Sequence, residues 1–100
     1  MPNKPINNDE DIERITELLR AMGDPSRLRI LQALDQGEAC VGELAQGTGL
    51  SNANASKHLS VLRQVGLVAY TRIGNSKSFA LTSTMVSEVC RAVVRTRGAD

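Results

Sequence analysis

Aromatic residues and long apolar runs are scarce in this sequence of 100 residues. Tyr70 and Phe79 are its only aromatic residues, so a core has to be built from aliphatic side chains. No apolar run approaches the ~20 residues that a membrane-spanning helix needs. The polar, acidic segment 1–11 lacks the character of a secretory signal. We therefore expect one small domain that resides in the cytoplasm and contacts no membrane.

Groups that could carry out catalysis are equally few. The sequence has one histidine, His58, and two cysteines, Cys40 and Cys90. It contains no nucleophile elbow and no glycine-rich phosphate loop. We therefore predict no enzyme and no cofactor, and in a reducing cytoplasm the two cysteines begin as thiols.

Acidic residues are absent from the whole middle of the chain. From residue 1 to 43, nine acidic residues outnumber five basic ones, whereas segment 44–87 contains no Asp or Glu. The same segment carries four basic residues, Lys57, Arg63, Arg72 and Lys77. Such a distribution indicates a surface that meets a polyanion. The alternative is a chance gap in a short sequence.

Capping residues and apolar spacing predict four helices in the first two thirds of the chain. Each predicted helix has a cap before it and glycine at its end. In chain order, the caps are Asn8, Asp24, Cys40 and Ser51. The terminating glycines are Gly23, Gly37, Gly47 with Gly49, and Gly66. The third cap is unusual because Glu43 completes a capping box in which serine or threonine is normally the first residue.

The remainder of the chain predicts a hairpin and a last helix. Segment 67–73 reads as a strand, 74–77 as a turn and 78–81 as the returning strand. Ser83 is the predicted cap of the last helix, and the tail after Arg95 is expected to be loose. The fold class is therefore mainly α with a small β-hairpin, a winged helix-turn-helix of order α-α-α-α-β-β-α. The predicted parts of this single domain, 1–100, are a helix-turn-helix at about 40–65, a wing at about 67–82 and dimerisation helices at about 9–22 and 83–96.

The outer face of helix 51–65 fits the major groove of DNA, which is about 12 Å wide. It carries small and amide side chains, one lysine and no acid. Asn52 and Asn54 are candidate base readers, because a carboxamide pairs with adenine through two hydrogen bonds. Ser51, Ser56 and Lys57 suit phosphates. The full predicted DNA-contacting set is Ser51, Asn52, Asn54, Ser56, Lys57, His58, Arg63, Arg72 and Lys77.

Two other interpretations of this helix face remain. It could be an ordinary solvated face, although such faces usually mix both signs of charge. It could also belong to a module that binds protein rather than DNA, since a fold does not determine a function. A protein-binding module would have no reason to exclude acidic residues around the four cations.

The segments 18–31, 40–44, 49–51 and 56–63, together with the hairpin after Gly66, resemble the ArsR/SmtB family of winged-helix repressors. The resemblance covers residues from about 12 to 94. It implies a homodimer built on the first and last helices, which an inducer releases from an inverted-repeat DNA operator. On these helices the apolar residues assigned to the dimer interface are Ile12, Ile15, Leu19, Val86, Val89 and Val93.

The metal sites that the resemblance implies are incomplete in this sequence. One family site uses a Cys-Val-Cys pattern at the third helix, where this chain has Cys40-Val41-Gly42. Another uses Asp and His along the last helix, where Glu88 is the only carboxylate before the tail. A tight zinc site needs about four ligands, so we predict no metal. The family pattern gives His58 a structural or DNA-facing role.

The two cysteines are the remaining sensor candidates. A thiol at the start of a helix faces the positive end of the helix dipole, which favours a reactive Cys40. Alternatively, Cys40 is a small residue in place of serine, and Cys90 is a buried, inert core or interface residue. A thiol switch is the leading hypothesis, although family members that sense reactive sulfur carry a cysteine in the segment equivalent to 28–34, where this chain has none. Arsenite binding by thiolates and control without any effector are the alternatives.

Overall fold

Five helices and one antiparallel hairpin form the part of the chain that a computed structural model describes, residues 8–97. The elements are α1 (Asp9–Met22), α2 (Pro25–Asp35), α3 (Val41–Thr48), α4 (Asn52–Gln64), β1 (Val68–Ile73), β2 (Ser76–Leu81) and α5 (Met85–Thr96). This order confirms the predicted fold class. The expectations for residues 1–7 and for the last three residues of the tail lie outside the described residues. Within residues 8–97 no helix is long and apolar enough to cross a membrane.

Side-chain caps start three of the helices where the sequence predicted them. The Asn8 side chain accepts a hydrogen bond from the Asp11 N–H at 2.8 Å, and Asp24 accepts one from the Arg27 N–H at 3.0 Å. Ser51 Oγ accepts from the Asn54 N–H at 3.1 Å. Each cap satisfies a backbone donor that has no partner inside its own helix. The caps therefore determine where α1, α2 and α4 begin.

The core is aliphatic and is centred on α2, which packs against α1, α3, α4, β2 and α5. Ile30 and Leu31 of α2 are fully buried, as are Ala55 and Leu62 of α4. The remaining buried core residues are Ala21, Met22, Leu34, Leu44, Ala45, Leu59, Leu67, Val68, Phe79 and Val86. Burying a leucine, isoleucine or valine side chain contributes about 1.5–3 kcal/mol, so α2 and α4 are held together mainly by these contacts.

The wing differs from its prediction at the turn. β2 begins at Ser76 and Ile73 pairs with Ser76, so that the turn consists of Gly74 and Asn75 alone. Gly74 has φ +63°, which glycine adopts readily at the first position of a two-residue hairpin turn. Two further hydrogen bonds, in both directions between the backbones of Ala39 and Phe79, attach the hairpin to the segment before α3.

Two predicted helix ends also need correction. Gly47 lies inside α3, and it is Gly49 with φ +75° that ends the helix. The cap position of α5 is Thr84 rather than Ser83. The Ser83 hydroxyl nevertheless accepts a hydrogen bond from the Met85 N–H at 3.2 Å, so the serine acts from one residue further out.

Candidate nucleic-acid interface

The turn between α3 and α4 sets the direction of the second helix. Gly49 takes the left-handed conformation, which side-chain-bearing residues rarely adopt. The Leu50 N–H then donates to the Ala45 carbonyl at 3.0 Å, and half-buried Leu50 packs against the core. With Ala55 and Leu62 buried beneath it, α4 is fixed on the body and presents its opposite face outward.

That outer face of α4 is exposed and polar, as predicted. Its exposed members among the predicted DNA contacts are Ser51, Asn52, Asn54, Ser56, Lys57 and Arg63. Ser60 is exposed as well, and with Ser56 and Arg63 it occupies one stripe at spacings of four and three residues. The Ser51 hydroxyl accepts the capping hydrogen bond and keeps its own O–H available as a donor.

His58 is placed differently from the other predicted contacts of the helix-turn-helix, because its side chain is half-buried and theirs are exposed. The pKa of Asp24 at the start of α2 is lowered, chiefly by the hydrogen bond from the Arg27 N–H, with smaller contributions from the charges of Arg27 and of His58. Lys57, the preceding residue, is exposed, whereas His58 is partly enclosed by the protein. Of the two roles that the resemblance implies, this position favours the structural one.

The wing brings two cations together on one face. Arg72 and Lys77 are directly paired across β1 and β2, and two residues further on Tyr70 pairs with Phe79. Since side chains two residues apart point to the same face of a strand, these four side chains share one face of the hairpin. Arg72 is exposed and Lys77 is half-buried.

The ring of Tyr70 contacts cations from both the helix and the wing. Arg63 Cζ lies 4.9 Å from the ring centroid, and Lys77 Nζ lies 4.6 Å from it. These distances are within the range of cation–π attraction. Sequence reasoning missed Tyr70, although a signal was present, because a tyrosine two residues before Arg72 on a strand has to share its face.

The cations of the acid-free segment have no acidic partner among residues 8–97. Within residues 8–97 one ion pair forms, between Arg14 and Glu17 on α1 at 2.6 Å. Lys57, Arg63, Arg72 and Lys77 are therefore unneutralised by carboxylates in the part of the chain that the structure describes. Their positive charge is available to an anionic partner.

The two cysteines lie in separate clefts and are unpaired. Half-buried Cys40 precedes α3 and lines a groove of 280 Å³ with the wing-tip residues Asn75, Ser76 and Lys77. Its N–H donates to Glu43 Oε1 at 3.0 Å, which is the main cause of the lowered pKa of Glu43. Cys90 lines a cleft of 120 Å³ between α2 and α5. Among the described residues, no three His, Cys, Asp or Glu side chains are grouped as metal ligands.

Four of the six residues predicted for the dimer interface are exposed. On α1, Ile12, Ile15 and Leu19 are exposed, and Val93 on α5 is 62% exposed. Val89 is half-buried against the core. Val86 is placed differently from the interface position assigned to it, because it is only 4% exposed and belongs to the core of its own chain.

Comparison with known proteins agrees with this architecture. Residues 24–70, from the cap of α2 to β1, match the sequence profile of the family described as bacterial regulatory protein, arsR family. The HTH-type transcriptional regulator CmtR of Mycobacterium tuberculosis is 40% identical over 81 residues, which cover 81% of this chain and 69% of CmtR. A transcriptional repressor SmtB homolog of Synechocystis is 34% identical over 84 residues, and the match spans 84% of this chain and 64% of that protein.

A solved structure shares the fold over nearly the whole chain. The homodimeric winged helix-turn-helix DNA-binding domain of Mb0332 from Mycobacterium bovis superposes with a TM-score of 0.81. The superposition covers 98% of this chain and 91% of that domain, with 26% sequence identity. The chain is therefore a member of the ArsR family of bacterial regulatory proteins, a DNA-binding transcriptional regulator with a winged helix-turn-helix.

Proposed function

We propose that the chain is a homodimeric repressor that binds an inverted-repeat DNA operator in the cytoplasm. The observation that carries this proposal is the surface formed by the outer face of α4 and the wing. It combines exposed amides and hydroxyls with four cations that have no acidic partner among residues 8–97. Amides suit base edges and cations suit phosphates. Asn52 and Asn54 are the proposed base readers, and Lys57, Arg63, Arg72 and Lys77 are the proposed phosphate contacts.

The dimer is proposed from the exposed apolar residues of α1 and α5. Leu19 is 50% exposed, and it continues the stripe of Ile12 and Ile15 at spacings of four and three residues. Val93 and its neighbour Val94 are exposed on α5. A patch of this kind marks a surface that a partner covers, and the similar Mb0332 domain is homodimeric. The proposed interface omits Val86 and includes Val89 only at its edge.

The arrangement of the operator tests the proposal. Purified protein would be used to select bound fragments from genomic DNA, and the selected fragments would be footprinted. A two-fold dimer predicts two inverted half-sites whose centres lie about one helical turn, 34–36 Å, apart. Protection of single half-sites would contradict the dimeric mode of binding, and retention of no fragment would contradict the DNA-binding function.

For the inducer, we propose modification of Cys40. Its groove is bounded on one side by the start of α3 and on the other by the tip of the wing. A modified sulfur in that groove would push against the wing tip, and Lys77, a proposed phosphate contact, lines the same groove. Modification of the thiol would therefore act directly on a residue proposed to bind DNA.

Operator binding before and after mild oxidation tests this switch, with Cys40→Ser as the matched variant. Cys90→Ser is the control, because Cys90 lies in a different cleft. We expect oxidised wild type and Cys90→Ser to release DNA and Cys40→Ser to remain bound. Release by all three proteins, or by none, would contradict the switch. Release of the wild type by arsenite alone would identify the alternative inducer.

A further inference from the structure

Tyr70 contacts both halves of the proposed DNA surface. Its ring lies on β1, and the two cations over it come from the end of α4 and from β2. The ring also packs on buried Phe79, with centroids 5.3 Å apart and planes tilted by 51°. Phe79 is in turn fixed by two backbone hydrogen bonds to Ala39, of 2.8 and 3.1 Å. The ring therefore has a rigid support.

The cations that it holds keep their hydrogen-bond donors available. Among the described residues, the side chains of Arg63 and Lys77 form neither a hydrogen bond nor an ion pair within the protein. An aromatic face attracts a cation without using its N–H groups. A carboxylate in the same place would occupy those donors and cancel the charge. A tyrosine ring orders the two cations and leaves both able to bind an anion.

A cleft of 130 Å³ lies beside this ring, between α4 and the hairpin. Besides Tyr70, the polar residues that line it are Ser56, Ser60, Arg63 and Lys77. Ser56, Ser60 and Arg63 come from the exposed stripe of α4 described above, and Lys77 comes from the wing. Two hydroxyls and two cations around one cleft are a donor set suited to a phosphate oxygen.

We propose that Tyr70 is a positioning residue of the DNA interface. Its ring holds Arg63 and Lys77 in place around this cleft, so that helix and wing bind the phosphate backbone as one preformed unit. Ordering a long side chain on binding costs affinity, and a side chain that is already ordered avoids that cost. This inference rests on the proposed DNA binding, and it adds a role for a residue that itself need not contact DNA.

The test compares Tyr70→Leu with Tyr70→Phe in the full chain, using anisotropy of a labelled mixed-sequence duplex of about 30 base pairs, which spans two successive major grooves. Tyr70→Phe keeps the aromatic face, so we expect wild-type affinity. Tyr70→Leu is expected to bind about tenfold more weakly. The slope of log K against log salt should stay that of the wild type, because no charge is removed. Lys77→Ala should reduce the magnitude of this slope.

A double-mutant comparison separates positioning from general damage. In a background of Arg63→Ala and Lys77→Ala, the change Tyr70→Leu should no longer affect binding, because the cations through which it acts are gone. Equal loss in both backgrounds, or wild-type affinity of Tyr70→Leu, would overturn the inference. Failure of the wild type to bind the duplex would instead overturn the proposed function, and with it this inference.

A measurement on the wild-type protein does not depend on the folding of a variant. Side-chain protons of Arg63 and Lys77 that lie over the ring should show upfield ring-current shifts in the NMR spectrum. Random-coil shifts for both side chains would overturn the positioning role, even if Tyr70→Leu were too unstable for binding studies.

Discussion

Arg72 and Lys77 face each other directly across the two strands of the wing, as partners in the β1–β2 register. Like charges at directly opposed positions destabilise a hairpin. Glycine and asparagine at the turn and the bridge between Ala39 and Phe79 hold the hairpin together despite this repulsion. Two like charges that lower the stability of the free protein are understandable if both bind a polyanion.

Replacing Arg72 by glutamate should therefore separate stability from function. The Arg72→Glu variant gains an opposite-charge pair with Lys77, and we expect it to be more stable than wild type by about 0.2–1 kcal/mol in urea denaturation. Its affinity for DNA should fall sharply. The control is Thr71→Glu, which is exposed on the other face opposite Ser78 and should gain no stability. A loss of stability in Arg72→Glu would contradict the proposed repulsion between Arg72 and Lys77.

Ser51 offers a second way to separate stability from DNA binding, since it caps α4 at the proposed DNA surface. Ser51→Ala should cost about 1 kcal/mol of unfolding free energy through loss of the cap. Ser51→Asp keeps an acceptor for the Asn54 N–H and should retain stability. It also places a negative charge where a phosphate is proposed, so DNA binding should be lost. Equal DNA affinity of Ser51→Asp and wild type would remove this end of α4 from the interface.

The proposed readers and the proposed phosphate contacts of α4 should respond differently to alanine. Asn52→Ala or Asn54→Ala is expected to lose about 1–3 kcal/mol on the selected operator and little on a scrambled duplex. Lys57→Ala should weaken binding to both duplexes alike, because a phosphate contact carries no sequence information. If the asparagine variants weaken both duplexes equally, their assignment as base readers is wrong.

The cap of α2 predicts a dependence of stability on pH. Hydrogen bonding by the Arg27 N–H holds the pKa of Asp24 below its ordinary value. A lowered pKa in the folded state stabilises the fold above the ordinary value of about 3.9, and this contribution is lost as pH falls through the lowered pKa. Asn is an equally good cap that does not titrate. Asp24→Asn should therefore lose less stability than wild type between about pH 5 and pH 3, as measured by urea denaturation. Parallel losses would contradict this role.

Local signals in the sequence were sufficient for much of the fold. Asn8, Asp24 and Ser51 act through contacts three residues away, so each could be recognised from its neighbours. The turn of the wing was harder to predict, because Ser76 and Lys77 are compatible with either a loop or a strand. Their pairing with Ile73 and Arg72 determines that both belong to β2.

Contacts between distant segments could not be predicted in this way. Val86 and Val93 lie on the same apolar stripe of α5, and only the packing shows that one is in the core while the other is exposed. The contacts of Tyr70 join residues from α4, β1 and β2. Periodicity gives the face of a strand but not the side chain that arrives from another element.

We propose that the cations of α4 and the wing bind the phosphate backbone of DNA, and the first measurement to make is the salt dependence of this binding. A dimer that uses Lys57, Arg63, Arg72 and Lys77 of both protomers has eight phosphate contacts. At about 0.9 for each contact, the plot of log K against log salt should have a slope of about −7. Lys57→Ala should reduce the magnitude of that slope by about 2 for the dimer. An affinity that does not change with salt, or a slope that Lys57→Ala leaves unaltered, would show that these cations do not bind phosphates.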